Sequence, residues 1–308
     1  MSFDFSVVIP VYNKENFLLE TLNSVSKQTF RNFEIVIVDD GSVDSSKEVI
    51  QSFISNNEKI SINYVRIENQ GVSVARNTGI KYAKGLFIAF LDADDLWHER
   101  YLESIHNVIN LNPTINFVAT RFFYGDSSDW NPTIPDKLNC KKFHYYEIDP
   151  RKRPMIFTSS VCIKRNLFEC ESNCFSPGKT HGEDIEVWVR VSLNNYTYLI
   201  DAELVCYNDV DKLSATSKLQ KLDYTSLFDI KVDVLPPSVN KRKFVLYINR
   251  TRFIYVKSNL IRGDVVNARK ICTQGTGIQF KFLYLLSLIP TPLFVLTVKL
   301  IKLLRRKR

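Results

Sequence analysis

The stretch FEIVIVDDGS at residues 33–42 is the one that decides the fold. It is a mostly apolar run of the length of a buried strand, and it ends abruptly in two aspartates, a glycine and a serine. The stretches FSVVIPVYN at 5–13 and LFIAFLDADD at 86–95 follow the same plan. Short apolar runs bounded by turn residues predict strands, here over 5–11, 33–38 and 86–91, with a further one over 60–67.

The segments between these runs carry apolar residues at helical spacing, over 15–28, 44–54 and 72–83. Strand alternating with helix is the pattern of a mainly parallel, Rossmann-like sheet flanked by helices. Ligands bind beyond the carboxyl ends of the strands in such sheets. The polar residues after the three runs are therefore expected to converge on one site.

The remainder of the chain is less regular. Turn residues dominate 112–154, and strands are predicted over 157–163 and 197–207, with a helix over 183–193. Residues 221–275 are expected to be mostly helical, with a break at Pro236 and Pro237.

The net charge of +8 suggests a nucleic-acid partner at first sight. Six of the last ten residues are basic, however, and without them the chain carries 35 basic against 33 acidic residues. A globular part that is nearly neutral offers no groove to follow a phosphate backbone, so no nucleic-acid partner is expected.

Six cysteines are scattered without a paired framework, and the chain opens without a basic and apolar leader. Both features predict a reducing, cytoplasmic location. Cys170, Cys174 and His181 lack the compact pairs of a zinc ribbon, which disfavours zinc.

The end of the chain, residues 278–308, is predicted to be an amphipathic, basic tail that lies on a membrane. Residues 282–298 are uncharged, but Pro290 and Pro292 interrupt the run, which disfavours a simple crossing. The basic decapeptide that follows suits a helix in the headgroup region of an anionic leaflet. The alternative is a buried helix pair that ends in a disordered basic tip.

Two carboxylates lie one residue apart at Asp92 and Asp94. They repel each other unless a cation lies between them or both are well solvated. Oxygen ligands favour a hard ion, so the expected cofactor is Mg²⁺ or Mn²⁺ bound together with a substrate phosphate.

Four ordered motifs, VVIPVYN at 7–13, IVDDGS at 37–42, ARNTGI at 75–80 and FLDADD at 90–95, resemble the family 2 inverting glycosyltransferases of the A-type nucleotide-sugar transferase fold. A fifth segment, HGEDIEVWVR at 181–190, is similar to the family's Glu-Asp segment. The resemblance covers residues 5–207. It implies a catalytic domain over 1–215, with a nucleotide-sugar-binding half (1–112) and an acceptor half (113–215), before a helical C-terminal region over 216–308.

The resemblance also implies roles for individual residues on the donor side. The nucleotide base would lie against Pro10, Tyr12 and Asp40, with the ribose and diphosphate near Asp92. Asp94 would bind the metal directly, next to Asp92. Arg76 would face the donor, although it could equally be an ordinary surface ion pair.

On the acceptor side the resemblance makes Asp184 the catalytic base, with Glu183 beside it. An acceptor hydroxyl is a poor nucleophile, so an ionised carboxylate must take its proton. Both acids begin a predicted helix, where the helix dipole favours the ionised form. Where the family often has a His or Arg near the diphosphate, this chain reads CYNDVDK at 206–212, with Lys212 as a possible substitute.

The implied function is metal-dependent inverting transfer from a nucleotide-diphosphate donor, a UDP-hexose, to a hydroxyl of a lipid-linked oligosaccharide. The expected setting is O-antigen or capsule synthesis by a peripheral protein on the cytoplasmic face of the inner membrane. One alternative is an inactive membrane-associated scaffold, which would not need acids at 92, 94 and 184. The other is a nucleotidyltransferase, which would need a glycine-rich phosphate loop where this chain reads PVYNK at 10–14.

Overall fold

A computed structural model describes residues 3–135, 138–179, 181–208 and 225–288. The chain forms two compact units, Met1–Tyr145 with Pro154–Ser214 and Tyr146–Arg153 with Ala215–Arg308.

The first unit begins with a four-stranded parallel sheet of order β3-β2-β1-β4. Its elements are β1 (Phe5–Val11), α1 (Leu18–Ser26), β2 (Phe33–Asp39), α2 (Ser46–Asn56), β3 (Ser61–Arg66), α3 (Val72–Tyr82) and β4 (Phe87–Phe90). Every residue of β1, β2 and β4 is buried. Strands covered on both faces read as continuous apolar runs rather than as alternating ones, which is why these three could be found in the sequence.

Pro10 lies inside the central strand β1, paired in register with Val38 of β2. Pro10 is also the penultimate residue of β1, beyond the point at Val8 where the pairing of β1 with β4 ends. The carbonyl of Val8 accepts from Leu91, so even-numbered residues of β1 direct their backbone polar groups toward β4. Because β4 ends at Phe90, opposite Val8, the missing N–H of Pro10 costs the sheet no hydrogen bond.

The second half of the sheet is mixed. Its elements are β5 (Leu96–Trp97), α4 (Tyr101–Leu111), β6 (Phe117–Gly125), β7 (Cys140–Phe143), β8 (Val161–Lys164), α5 (Glu183–Ser192) and β9 (Thr197–Asn208). The sheet continues from β4 in the order β8-β6-β9-β5, and β7 also pairs with β9. Only β6 and β9 are parallel here; β8, β5 and β7 run antiparallel to their neighbours. The sequence predicts strands close to β8 and β9, but it predicts turns over 112–154, where β6 and β7 lie. Hydrophobic periodicity also indicates a strand without indicating its direction.

The strand predicted over 157–163 is shorter than expected. Thr158–Ser160 forms a 3₁₀ turn, and only Val161–Lys164 pairs as β8. Side-chain and backbone hydrogen bonds between Phe157 and Ser160 close the turn. Hydroxyl side chains compete with the strand ladder in this way, which explains the difference.

The second unit contains three helices over 241–287, α6 (Lys241–Ile261), α7 (Val265–Gln274) and α8 (Ile278–Ser287). Asn240 and Asp264 cap α6 and α7 by accepting from backbone N–H groups of their first turns. Segment 146–153 belongs to this unit, and Glu147 there pairs with Lys243 of α6 at 2.9 Å.

Helix α8 has two apolar faces. Phe280, Leu283 and Ser287 are buried, with Ser287 bound to Arg269 of α7. The opposite face exposes Ile278, Phe282 and Leu285, each by at least 60%. Residues 289–308, the rest of the predicted tail, lie outside the described residues. Within residues 3–288, as far as they are described, no helix combines the length and the apolar character needed to cross a membrane.

Candidate active site

The loops after β1, β2 and β4 meet at one edge of the sheet. Asn13, in the left-handed region at φ 52°, donates its N–H to the hydroxyl of Ser42 at 3.1 Å, and its side-chain oxygen accepts from Val43. Asparagine tolerates this backbone conformation better than most residues. Thr21, at the start of α1, donates to the carbonyl of Ala93 at 3.0 Å. The convergence expected from the sequence is therefore present.

Asp39 and Asp40 at the end of β2 both accept hydrogen bonds from the protein. Buried Asp39 accepts from the backbone of Ser42 and from the side chains of Tyr64 and Arg66. Asp40 accepts from the backbone N–H groups of Gln70 and Gly71, just before α3, each at 2.8 Å. Asp40 thus fixes the entry to α3.

The three residues predicted for the nucleotide base lie on neighbouring strand ends. The N–H of Asp40 donates to the carbonyl of Val11, one residue from each of Pro10 and Tyr12. Pro10 is buried, whereas the ring of Tyr12 is 45% exposed. Tyr12 is thus the member of this group whose ring is open to a ligand.

Asp94 forms an ion pair with Lys14, whose Nζ lies 2.6 Å from Oδ2 of the carboxylate. Lys14 follows β1 and Asp94 follows β4, and both side chains are less than one-fifth exposed. In the sequence, Lys14 is only part of a loop that does not resemble a phosphate loop. A lysine after β1, facing the acids after β4, is the signal that could have indicated the pair.

Asp95 is a buried acid for which the sequence predicts no separate role. Its carboxylate accepts from the hydroxyl of Ser159 at 2.5 Å and from the N–H of Asn208 at 3.2 Å. Burial, and then the charges of Asp94 and Asp92, hold the pKa of Asp95 well above its ordinary value. Three acids thus lie within four residues at the end of β4, and two of them, Asp94 and Asp92, are paired with Lys14 and Arg76.

Arg76 of α3 bridges two of the predicted site acids. Its Nη2 donates to Asp92 at 2.8 Å and its Nη1 to Glu183 at 2.8 Å. Burial alone would lower the pKa of this guanidinium, but the charges of Asp92 and Glu183 raise it above its ordinary value. Arg76 is only 3% exposed, so its interpretation as an ordinary surface ion pair is wrong.

Asp184 lies in the first turn of α5, after Gly182 in the left-handed conformation at φ 76°. Its Oδ1 accepts from the N–H of Ile185 at 2.7 Å, and its Oδ2 accepts from the hydroxyl of Thr158 at 3.2 Å. Part of the residue stays exposed, yet burial of its carboxylate and the charge of Glu183 raise the pKa to about 6. Burial therefore outweighs the charge of Arg76 and the two hydrogen bonds, which lower this pKa, and the carboxylate is still mostly ionised at pH 7.

The turn Thr158–Ser160 connects the two groups of acids. The hydroxyl of Ser159 accepts from the N–H of Asp92 at 3.0 Å and donates to Asp95. Its carbonyl accepts from the indole N–H of Trp97 at 2.7 Å. The sequence reasoning missed this turn. The available signal was TSS at 158–160 within an apolar segment, since buried hydroxyls need hydrogen-bond partners.

The carboxylates of Asp92 and Asp94 suit a hard cation. No group of three or more His, Cys, Asp or Glu side chains arranged to hold a metal occurs in the described part of the chain. Mg²⁺ is ordinarily held by one or two carboxylates and completes its shell with water and substrate phosphate. Asp92 and Asp94 supply two carboxylates of this kind, so the donor atoms present fit the expected ion, although each carboxylate is paired with a basic side chain here. Lys212 lies outside the described residues.

The fold is that of an A-type glycosyltransferase. S. aureus TarS 1–349, solved in complex with UDP-GlcNAc, superposes with a TM-score of 0.69 and covers 95% of this chain and 86% of its own, at 18% identity. The chain belongs to glycosyl transferase family 2, whose family model matches residues 6–171, more than half of the sequence.

Two curated relatives align with the same part of the chain. An uncharacterised glycosyltransferase of Rickettsia felis is 33% identical over 199 residues, which are 65% of this chain and 32% of that protein. The Escherichia coli UDP-Glc:alpha-D-GlcNAc-diphosphoundecaprenol beta-1,3-glucosyltransferase WfgD is 30% identical over 202 residues, 65% of this chain and 74% of its own. The chain thus spans about a third of the Rickettsia protein.

Proposed function

We propose that this glycosyltransferase moves a hexose from a UDP-linked donor to a hydroxyl of a lipid-linked saccharide, with inversion and with Mg²⁺ or Mn²⁺ as cofactor. The observation that carries the proposal is the chain of contacts from Asp92 through Arg76 to Glu183, the residue next to Asp184. Through buried Arg76 it links an acid assigned to the donor diphosphate with Glu183, the chain neighbour of the candidate base.

Asp184 acts as the general base in this proposal. A base works best when its pKa lies near the working pH, because it is then ionised and still accepts a proton readily. A pKa of about 6 meets both conditions at neutral pH. The Thr158 hydroxyl and the Ile185 N–H orient the two carboxylate oxygens before an acceptor arrives.

Inversion follows from the use of a single base. A double displacement needs a carboxylate that attacks the anomeric carbon, as well as an acid and base. Glu183 lies beside Asp184, but its carboxylate is paired with Arg76. We therefore assign Glu183 to positioning Arg76, and a direct attack by the activated acceptor hydroxyl inverts the anomeric centre.

A uridine nucleotide is the proposed donor because the names of two similar proteins specify one. WfgD is named for UDP-Glc, and TarS was solved with UDP-GlcNAc. In this chain the exposed ring of Tyr12 would stack on the base, with Pro10 and Asp40 beside it. The ribose and the first phosphate would lie near Asp92.

Asp94 and Asp92 would hold the metal. The ion would neutralise the charge that develops on the departing nucleotide diphosphate. The ammonium of Lys14, next to Asp94, adds a second positive charge on the donor side of the site. Arg76 adds a third next to Asp92, so the chain itself supplies cations around the phosphates.

The acceptor is proposed to be lipid-linked, in O-antigen or capsule synthesis on the cytoplasmic face of the inner membrane. WfgD, by its name, glucosylates a diphosphoundecaprenol-linked sugar. The exposed face of Ile278, Phe282 and Leu285 on α8 would enter the headgroup region, supported by the basic residues 299–308. Residues 1–112 would then bind the donor, 113–215 the acceptor and 216–308 the membrane.

The release of nucleotide diphosphate tests the proposal. The purified chain is incubated with Mn²⁺, a panel of UDP-, GDP- and dTDP-sugars, and diphospholipid-linked N-acetylglucosamine. We expect UDP release from at least one UDP-sugar, and its loss in Asp184→Asn. A scaffold would release nothing from any donor, and a nucleotidyltransferase would instead release pyrophosphate from a nucleoside triphosphate. Either result would contradict the proposal.

A further inference from the structure

Four aromatic rings form a continuous series at the ends of β6 and β9, here called the aromatic platform. Its members are Phe122, Tyr124, Phe157 and Tyr207. The ring centroids of Phe122 and Phe157 are 4.5 Å apart, and those of Phe157 and Tyr207 are 5.1 Å apart. Tyr207 stacks on Tyr124 at 5.1 Å with 12° between the planes.

The platform is partly buried at one end and more exposed at the other. Phe122 and Phe157 are partly buried and pack against the hydrophobic core. The ring of Tyr124 is 47% exposed. Tyr124 and Tyr207 are direct cross-strand neighbours, so sheet pairing accounts for their mutual stacking. Sheet pairing does not account for Phe157, which lies outside the strands and joins Phe122 to Tyr207 in the series.

Two residues that directly follow members of the platform in the sequence form hydrogen bonds with acids of the candidate active site. Thr158, after Phe157, donates to Asp184. Asn208, after Tyr207, donates its N–H to Asp95. The platform therefore borders the proposed base on one side and the acids after β4 on the other.

The platform is well separated from the residues assigned to the nucleotide base. In the sheet order, β8 and β4 lie between β6 and β1, which carries Tyr12 at its end. Three strand spacings correspond to about 14 Å, more than the width of one base. A ligand on the platform is thus a different part of the substrates from the base near Tyr12.

We propose that the aromatic platform binds a pyranose ring of the saccharide acceptor, next to the hydroxyl that Asp184 deprotonates. The inference rests on the proposed function. Aromatic faces carry partial negative charge and attract the C–H groups on the apolar face of a sugar ring. Binding sites of this kind combine apolar aromatic walls with a few oriented polar groups, here Thr158 and Asp184.

The test measures binding of octyl glycosides to the whole chain by saturation-transfer nuclear magnetic resonance, with UDP and Mg²⁺ present. The panel contains the octyl glycosides of glucose, galactose, N-acetylglucosamine and N-acetylgalactosamine. We expect saturation of ring protons in at least one glycoside. Tyr124→Ala and Tyr207→Ala should each weaken its binding about tenfold. Tyr124→Phe should retain binding, and so should Tyr82→Ala, which removes an equally exposed tyrosine from the end of α3.

UDP affinity, measured by calorimetry on the same variants, separates the possible outcomes. Unchanged UDP affinity in Tyr124→Ala, with weaker glycoside binding, supports the platform. A fall in UDP affinity would mean that the platform holds the nucleotide, and it would overturn the proposal. Glycoside binding that persists in both alanine variants, or is absent from the wild type, would also overturn it. A wild type that binds no UDP and releases none from any donor would instead contradict the proposed function.

Discussion

Arg76 and Glu183, 107 positions apart in the sequence, form a hydrogen-bonded ion pair of 2.8 Å in which neither side chain is more than 9% exposed. The same guanidinium holds Asp92. Arg76→Met would leave two carboxylates without their cation, and breaking a buried pair in this way costs roughly 3–5 kcal/mol. We expect that loss in the free energy of unfolding, measured with urea.

The double variant Arg76→Met/Glu183→Gln should recover part of that stability, because one of the uncompensated charges is then gone. Arg31→Met, which removes an arginine from an exposed position, serves as the matched control. If Arg76→Met unfolds with the same midpoint urea concentration as the wild type, the bridge contributes no stability.

Asp184→Asn keeps the size of the side chain but cannot accept the proton. Turnover should fall by a factor of about 10²–10⁴, whereas UDP affinity should change little. Glu183→Gln should reduce turnover less, because we assign Glu183 to positioning Arg76 rather than to taking the proton. Product analysis by nuclear magnetic resonance should show an inverted anomeric centre. A retained anomer, or normal turnover in Asp184→Asn, would show that the wrong mechanism or the wrong acid has been named.

The rate should rise with pH as Asp184 loses its proton. With a pKa of about 6, kcat/KM is expected to reach half its maximum near pH 6 and to level off above pH 7. The protonated acid cannot act as a base, so kcat/KM increases rather than decreases with pH. Residual activity in Asp184→Asn should lack this rise. A profile that is flat between pH 5 and 7 in the wild type would contradict the assignment.

Folding offers an independent check on the same group. The folded pKa of Asp184 is raised above its ordinary value of 3.8, so ionisation opposes folding. The favourable contribution is complete below that ordinary value and is lost as the pH rises through about 6. Asp184→Asn should therefore melt above the wild type at pH 8, with the gap closing at pH 4.

Asp94→Ala should abolish metal-dependent turnover, because the ion would lose its direct protein ligand. Binding of Mn²⁺ in the presence of UDP, followed by electron paramagnetic resonance, should weaken at the same time. Asp129→Ala removes an exposed acid outside the site and serves as the control. Retention of more than a tenth of the wild-type rate, with the metal still required, would exclude Asp94 as that ligand.

Membrane binding should depend on the exposed face of α8 and on the basic tail. Phe282→Glu/Leu285→Glu should reduce sedimentation with vesicles that contain anionic lipid. Deletion of 289–308 should do the same, since each lost cation contributes about 1 kcal/mol. Truncation at 282 would also remove buried Leu283 and Ser287, so the cut is placed after Leu288. Val266→Glu, an equally exposed apolar position on α7, is the control. Undiminished sedimentation of both altered proteins would place the membrane contact elsewhere.

The elements predicted most accurately from the sequence are those with a clear hydrophobic periodicity or with an apolar run that ends in polar residues. β1, β2 and α3 lie within one residue of their expected bounds, because fully buried strands and an amphipathic helix leave strong patterns. The acids after β4 also lie where a parallel sheet would bring them together, and α5 begins at Glu183 as expected.

The remainder depends on contacts between distant segments, which no local pattern contains. The two-residue strand β5 is too short to show alternation, and the reversal of β8 is set by its partners on both sides. The sequence does not single out Lys14 or Ser159, because only the folded chain brings these loop residues next to the acids after β4. The roles of Asp184 and Asp94 came from resemblance to a family and stay predictions.

The hydroxyl of Ser159, held between the N–H of Asp92 and the carboxylate of Asp95, also limits how these positions can diverge. An alanine at 159 would leave a buried acid and a backbone donor without their shared partner, and leaving such groups unsatisfied is costly. Substitutions at 95 and 159 should therefore appear together among descendants of a common ancestor, as correlated pairs. The two positions lie 64 residues apart in the sequence, yet we expect them to change together during evolution.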